Sequence, residues 1–312
     1  MNRFCFFLLF AATAAFPADL RLGILGTDSS HSVEFTRILN DSSDPEHVAG
    51  AKVVAAWEGG SADVEESASR RDKFASELRT KWKITFYPDI ASLLKQVDAV
   101  LVESVDGRPH LEEAKQVFAA KKPVFIDKPL SDSLEDARTI ARLAQQAGVP
   151  WFSASSLRYA DWVQALRATH NDGVFAWGPG PQEAHQRLDL SWYAIHPIEV
   201  LYTLMGPGCE EVTRVSVGDS DVITGRWKDG RLGTVRAVRP YSDYGAVVFR
   251  GKTTVQSPSG SKFSYRLLVQ QIVTFFQTGK PPVANQETLE EFAFMAAAQK
   301  SKAQGSKPVR LP

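Results

Sequence analysis

From residue 20 onward the chain alternates between short apolar runs and amphipathic stretches, about one pair every 25 residues, and this rhythm constrains the fold more than any other feature. The runs "LRLGIL", "AKVVAAW", "AVLVES", "PVFID" and "PWFSAS" have the length and the β-branched or aromatic content of buried strands. Between them lie "HSVEFTRILN", "VEESASRRDKFASELRTKW", "HLEEAKQVFAAKK" and "SLEDARTIARLAQQAG". The last places Leu134, Ala137, Ile140, Ala141 and Ala144 at helical spacing, with Ser133 to cap its start and Gly148 to end it. Strand-helix alternation predicts βαβ units, hence a parallel sheet covered on both faces with a ligand crevice at the carboxyl ends of its strands.

After about residue 155 the pattern becomes turn-rich and strand-like, in "VTRVSVG", "DVITGRWKDGRLGTVRAV", "YGAVVFRG" and "KTTVQSPSG". "KDGR" predicts a hairpin, with Asp-Gly suited to a primed turn. Two apolar-periodic helices, "SYRLLVQQIVTFFQTG" and "ETLEEFAFMAAAQKSKAQG", close the chain. The expected fold class is therefore α/β, a doubly wound parallel sheet followed by an α+β domain with a mostly antiparallel open sheet. No internal repeat or heptad array is present, which speaks against solenoid and coiled-coil architectures.

The first residues, "MNRFCFFLLFAATAAFPADL", join one basic residue, Arg3, to an apolar run and a small-residue stretch. That pattern predicts an export signal over residues 1–18, cleaved between Ala14 and Ala18, and a periplasmic or extracellular protein. The apolar run is too short to span a bilayer, so no stable membrane span is expected once the signal is removed. The expected domains are then 19–150, nucleotide-binding, and 151–312, substrate-binding and oligomerising. Of two cysteines, Cys5 lies in the signal, leaving Cys209, which in "MGPGCEEV" has no signature for thiolate activation and is expected to pack as an apolar group.

A formal charge of zero over 312 residues, with no Lys/Arg cluster interleaved with aromatics, argues against nucleic acid as a partner. A small ligand such as a carbohydrate fits better.

The turn "GILGTDSSH" begins as a phosphate-binding loop and then departs from one. The frame from Gly26 reads Gly-Thr-Asp-Ser-Ser-His, so Asp28 and His31 stand where the second and third glycines of G-x-G-x-x-G would be. A carboxylate about 4 Å from a diphosphate costs up to about 4 kcal/mol at an effective dielectric of 20. Either Asp28 turns aside, for instance to cap the helix starting near Ser29, or no phosphates bind there. Gly26, Thr27, Asp28, Ser29, Ser30 and His31 are the candidate phosphate-side residues, with Ser104 at the end of a neighbouring strand. Glu58, ending the second strand, stands where the adenosine ribose hydroxyls of NAD would be held and where a 2′-phosphate would be disfavoured, which favours NAD over NADP.

"PVFIDKPLSDSLEDA", "DAVLVESVDGRPHLEEA", "SSLRYA", "WYAIHPIEVLYTLMG" and "FFQTGKPPV...AAAQKSK" together resemble the glucose-fructose oxidoreductase, inositol dehydrogenase and rhizopine-catabolism family (Gfo/Idh/MocA) over nearly all of residues 20 to 310. The resemblance implies a Rossmann domain, an α+β domain that packs in homo-oligomers, and oxidation of a sugar or cyclitol through a nicotinamide cofactor. It places the motif lysine at Lys128 and the following proline at Pro129, with Asp127 for the usual glutamate. It also places an acid-base histidine at His196, with Glu199 for the aspartate of H-x-x-D. A histidine can take a hydroxyl proton near neutral pH while an ammonium stabilises the alkoxide. Arg158, His185, Trp192 and Tyr193 join Glu199 as candidate substrate contacts. Aromatics beside polar groups suit a sugar's apolar faces and hydroxyl edges. His185, His196 and Glu199 form no recognised zinc spacing, so no metal is expected.

The lost glycines, and the scarcity of nicotinamide cofactors outside the cytoplasm, leave two further expectations open: binding of no dinucleotide at all, and a redox-neutral lyase, a hydrolase or a non-catalytic carbohydrate-binding protein on the same fold.

Overall fold

A computed structural model describes residues 19–312; the export signal expected over 1–18 lies outside the described residues. The first sheet contains β1 (Leu20–Leu25), β2 (Ala51–Trp57), β3 (Thr85–Phe86), β4 (Ala99–Val102), β5 (Val124–Ile126) and β6 (Trp151–Phe152), in the order β3-β2-β1-β4-β5-β6 and parallel throughout. Every residue of β4 and β5 is buried, as strands covered on both faces require. The covering helices of this half are α1 (Ser30–Asn40), α2 (Glu65–Ala68), α3 (Arg71–Thr80), α4 (Ile90–Leu94), α5 (His110–Ala119) and α6 (Leu134–Ala147). On α6 the Ser133 side chain accepts from the Asp136 N–H and Gly148 adopts the left-handed conformation, so both ends form as their residue types dictate.

A 3-10 turn at Ser156–Tyr159 and α7 (Asp161–Leu166) lead into the second sheet. Its strands are β7 (Gly173–Pro179), β8 (Cys209–Val217), β9 (Ser220–Trp227), β10 (Leu232–Val238), β11 (Gly245–Arg250), β12 (Thr253–Gln256) and β13 (Val309–Arg310), ordered β12-β11-β7-β10-β9-β8-β13. All its pairings are antiparallel except β7 with β10. Leu232 pairs with Arg226, and Gly230 at the tip has φ +88°. The "KDGR" hairpin thus turns through a longer loop with one left-handed glycine, not the two-residue primed turn that Asp-Gly suggests.

Three helices complete the molecule: α8 (Ile195–Met205), α9 (Arg266–Thr278) and α10 (Asn285–Ala303). Helix α8 packs beneath β7 and β10, while α10 lies across β8 and α6. Helix α9 returns to the first sheet, where Leu268, Val269 and Ile272 share a core with Leu22, Phe35, Phe125 and Phe152. Each half is therefore clamped by the chain's last helices, and the segment before α9 is drawn over the carboxyl ends of the first sheet's strands. No described helix is long and apolar enough to cross a membrane.

Candidate active site

The carboxyl ends of β1, β4 and β5 bring the departures from the glycine motif together. Gly26 keeps the turn's first position at φ +87°, with its N–H donating to the Trp57 carbonyl, and a side chain there would collide with Ser104. Thr27 is buried and bonds the Glu58 carbonyl through both its N–H and its hydroxyl. Ser29, not Asp28, caps α1, accepting from the His31 N–H at 3.1 Å. Asp28 turns the other way: its carboxylate is fully buried, accepting from the Ser67 hydroxyl at 2.6 Å and from the Val105 N–H at 3.3 Å. Burial raises its pKa against those bonds.

Ser67 reaches Asp28 because the segment after β2 folds back over the turn. Val64 packs with Val105 and Trp192, Ser61 donates to Asp106 at 2.6 Å, and Arg108 clasps Asp63 with two bonds of 2.8 Å. Trp192 is consequently only 5% exposed and supports this segment, so it does not offer a face to a sugar.

His31 projects from the first turn of α1 and its Nδ1–H donates to Asp127 Oδ2 at 2.6 Å. Its ring stacks on Phe35 at 5.1 Å and meets the edge of Tyr265 at 4.7 Å. Glu103, at the end of β4, lies 4.0 Å away, fully buried, and neither of its carboxylate oxygens has a hydrogen-bond partner. Burial, then the adjacent Asp127 charge, pushes the Glu103 carboxyl well above the usual range. Burial works the same way on Asp127, but the charge and hydrogen bond of His31 outweigh it and hold Asp127 low. Ser30 bonds Tyr265. Ser104 donates to Glu113 at 2.9 Å and accepts, through its carbonyl, from His110, whose other ring nitrogen faces the Pro129 carbonyl at 2.9 Å. His110 thereby ties the end of β4 to the turn that presents Lys128, before the cis bond to Pro129.

From the second half, His196 enters the same place on the first turn of α8. Its Nδ1 lies 2.7 Å from Ser155 Oγ, and the Ser155 N–H donates to Glu199 at 2.6 Å. Burial, followed by the positive charges of Lys128 and His31, holds its pKa well below 6.5. Lys128 lies near enough for its charge to be felt at His196. Tyr193 and Tyr244 set their rings around His196 at centroid distances of 6.2 and 5.8 Å, and Phe263 links Tyr244 to Tyr265.

Three expected substrate contacts lie elsewhere. Arg158 is buried, donating to Glu199, Glu287 and Glu291 at 2.9, 2.6 and 2.7 Å. Glu199 is buried and occupied by Arg158 and the Ser155 N–H, so it positions the serine that holds His196. His185 is exposed and bonds Glu183 at 2.7 Å, away from His196. The sequence reading did not single out Ser155, Glu103, His110, Tyr244, Phe263 or Tyr265. Glu103 alone had a visible signal, as a carboxylate ending an apolar strand.

For a nicotinamide dinucleotide the fit is uneven. Glu58 ends β2 as expected, beside a cavity of about 430 Å³ lined also by Trp57, Arg79 and Phe86, although its carboxylate is paired with Arg79 at 2.6 Å. The phosphate turn does not fit. The place of its second glycine is taken by a buried carboxylate locked to Ser67, and a pyrophosphate would have to displace both that bridge and the segment over it.

A six-stranded parallel sheet of this order, followed by an open mixed sheet, makes a doubly wound domain joined to an α+β domain. Residues 20–155 match the GFO_IDH_MocA family model, an oxidoreductase family with an NAD-binding Rossmann fold. The match covers the first of the two halves and stops at the start of the second.

Among curated relatives, the inositol 2-dehydrogenase of Paracoccus denitrificans is 34% identical over 131 residues, 41% of this chain and 34% of that one. The inositol 2-dehydrogenase/D-chiro-inositol 3-dehydrogenase of Halalkalibacterium halodurans is 28% identical over 209 residues, 62% of this chain and 55% of that one. The chain thus spans about a third to a half of the length of the relatives it matches. Among solved structures, myo-inositol dehydrogenase from Lactobacillus casei in complex with NAD(H) and myo-inositol superposes with a TM-score of 0.73 at 20% identity, covering 95% of this chain and 97% of that one. A probable dehydrogenase from Thermotoga maritima gives 0.73 at 22% identity, covering 94% and 99%. At these identities the likeness is one of fold.

Proposed function

We propose that the protein is an oxidoreductase of the Gfo/Idh/MocA type acting on a hydroxyl-bearing carbon of a sugar or cyclitol. The observation that carries this reading is the Ser155-held His196, with the rings of Tyr193 and Tyr244 around it and the Lys128 charge felt at its imidazole. With Nδ1–H donating to Ser155 Oγ, Nε2 is left as the acceptor of a substrate hydroxyl proton, and the Lys128 ammonium stabilises the alkoxide that results. The match of residues 20–155 to the family model and the inositol dehydrogenases among the chain's relatives support the substrate class.

The buried Asp28–Ser67 bridge favours a second reading, in which the same groups move protons on an oxidised sugar without net electron transfer. One experiment separates them. The purified protein is incubated with a panel of sugars, cyclitols and their keto forms, with NAD, with NADP and with neither, and products are followed by mass spectrometry. Dinucleotide-dependent oxidation lost in His196→Ala supports the first reading, and conversion without dinucleotide supports the second. No conversion and no thermal shift with any combination overturns both, since a ligand well above its Kd adds about 2 to 3 kcal/mol.

Export, read from residues 1–18, belongs to this proposal, as does self-association. The second sheet leaves Val215, Val217, Val222 and Phe249 exposed, an apolar surface of the kind that oligomers cover. Light scattering of the purified protein tests the latter.

A further inference from the structure

We propose that His31, Glu103 and Asp127 form a binding site for a single divalent transition-metal cation, with Zn²⁺ or Mn²⁺ as the class of ligand. One ligand atom from each residue lies within 4.8 Å of the other two. His31 Nδ1 is 2.6 Å from Asp127 Oδ2 and 4.0 Å from Glu103 Oε2. Ligand atoms bound to a metal at about 2.0 to 2.2 Å stand roughly 3 to 3.5 Å apart, so movements well within side-chain freedom convert the observed triangle into a coordination shell.

The independent observation is Glu103. A fully buried carboxylate with neither oxygen hydrogen-bonded carries a large desolvation cost without compensation. It points at His31 and Asp127, and a cation between the three satisfies it. The other two ligands are already held. Stacking on Phe35 and the edge of Tyr265 fix the imidazole, while Asp127 Oδ1 accepts from the Lys128 N–H at 2.8 Å and leaves Oδ2 toward the site. Binding displaces the proton that burial favours on Glu103 to solvent, and the proton of Nδ1 moves to Nε2 or leaves from an imidazolium. Two carboxylates and one imidazole suit a borderline cation better than Ca²⁺ or Mg²⁺, which favour all-oxygen shells. Three protein ligands leave further positions for water or substrate oxygen, as in catalytic metal sites. The nearby Lys128 ammonium opposes a cation, but the two carboxylates outnumber it.

This site does not rest on the sugar chemistry proposed for His196, because occupancy is measured without substrate. The full-length protein, stripped with chelator, is dialysed against Zn²⁺, Mn²⁺, Ca²⁺ or Mg²⁺ and its metal content measured by plasma mass spectrometry. The expected result is about one equivalent of Zn²⁺ or Mn²⁺ per chain, with affinity reduced at least tenfold in Glu103→Gln and in Asp127→Asn. Should either variant fail to fold, Co²⁺ is added to the wild type. Visible absorption bands that Zn²⁺ abolishes and His31→Gln lacks uphold the site. Substoichiometric metal, equal binding by folded variants, or Co²⁺ bands unchanged in His31→Gln overturn it.

Discussion

Asp28 and Ser67, 39 positions apart, are joined by a hydrogen bond of 2.6 Å that closes the segment after β2 over the glycine turn. The bond places a carboxylate beneath the position a dinucleotide's phosphates take in a glycine-rich turn, and it binds that carboxylate to the segment that would have to open. In Asp28→Gly both obstacles go together. The variant is expected to bind NAD at least tenfold more tightly than the wild type by calorimetric titration, since removal of up to about 4 kcal/mol of repulsion is at stake. It should also be less stable by about 1 to 3 kcal/mol in denaturant, because Ser67 and the Val105 N–H lose a buried partner. Equal NAD affinities in a folded variant would show that the bridge is not what bars the cofactor.

His196 is held well below 6.5 by burial and by the charges of Lys128 and His31, against the opposing charge of Asp127. It is therefore neutral, and able to accept a proton, throughout the physiological range. Its ring resonance in an NMR titration is expected not to move between pH 8 and pH 6, and Lys128→Met should bring its midpoint upward by removing a positive neighbour. The stability consequence has a definite sign. A base whose folded pKa is depressed binds fewer protons than in the unfolded chain, so its contribution is complete above about pH 6.5 and is lost as the pH falls below it. A midpoint at or above 6.5 in the wild type would remove the argument.

The doubly wound sheet was legible because its signal is local: period, caps and strand length all lie within a 25-residue window, as at Ser133 and Gly148. Gly26 was also legible, as the glycine that opens the turn at positive φ. Asp28 was read correctly as an anomaly, but its direction was not readable, because Ser67 and Val105 approach it from segments whose packing no local pattern encodes. Arg158 and Glu199 misled for the opposite reason. Their residue types suit a polar ligand as well as a buried ion network, and the partners that decide between these, Glu287 and Glu291, come from a helix more than 80 residues further on.

That network makes its own prediction. Arg158 supplies one positive charge to three carboxylates, with Glu291 driven well above the usual range by burial and by Glu199 beside it. Arg158→Met keeps the volume and removes the charge, leaving buried carboxylates uncompensated. The expected cost is about 3 to 5 kcal/mol in urea unfolding. Glu199→Gln in turn should cost less stability yet weaken turnover, because the Ser155 N–H and hence the His196 ring lose their anchor. A neutral Arg158→Met would mean the carboxylates are already protonated.

Cys209 is buried on β8, and burial pushes its thiol up to about 12. The thiolate is the reactive form, so at pH 8 the fraction available is on the order of one in ten thousand even before access is considered, a tenfold change following each unit of pKa. Native protein is expected to keep Cys209 from a disulfide exchange reagent such as DTNB for hours and to release it to the reagent when unfolded in guanidinium. Cys209→Ala should lower stability by a modest amount, since the removed sulfur packs near Gly225, where an added Cβ would stand 2.9 Å from Sγ. Rapid labelling of the folded protein at pH 8 would place the thiol in a different environment from the one described, and with it the packing of β8 against β9.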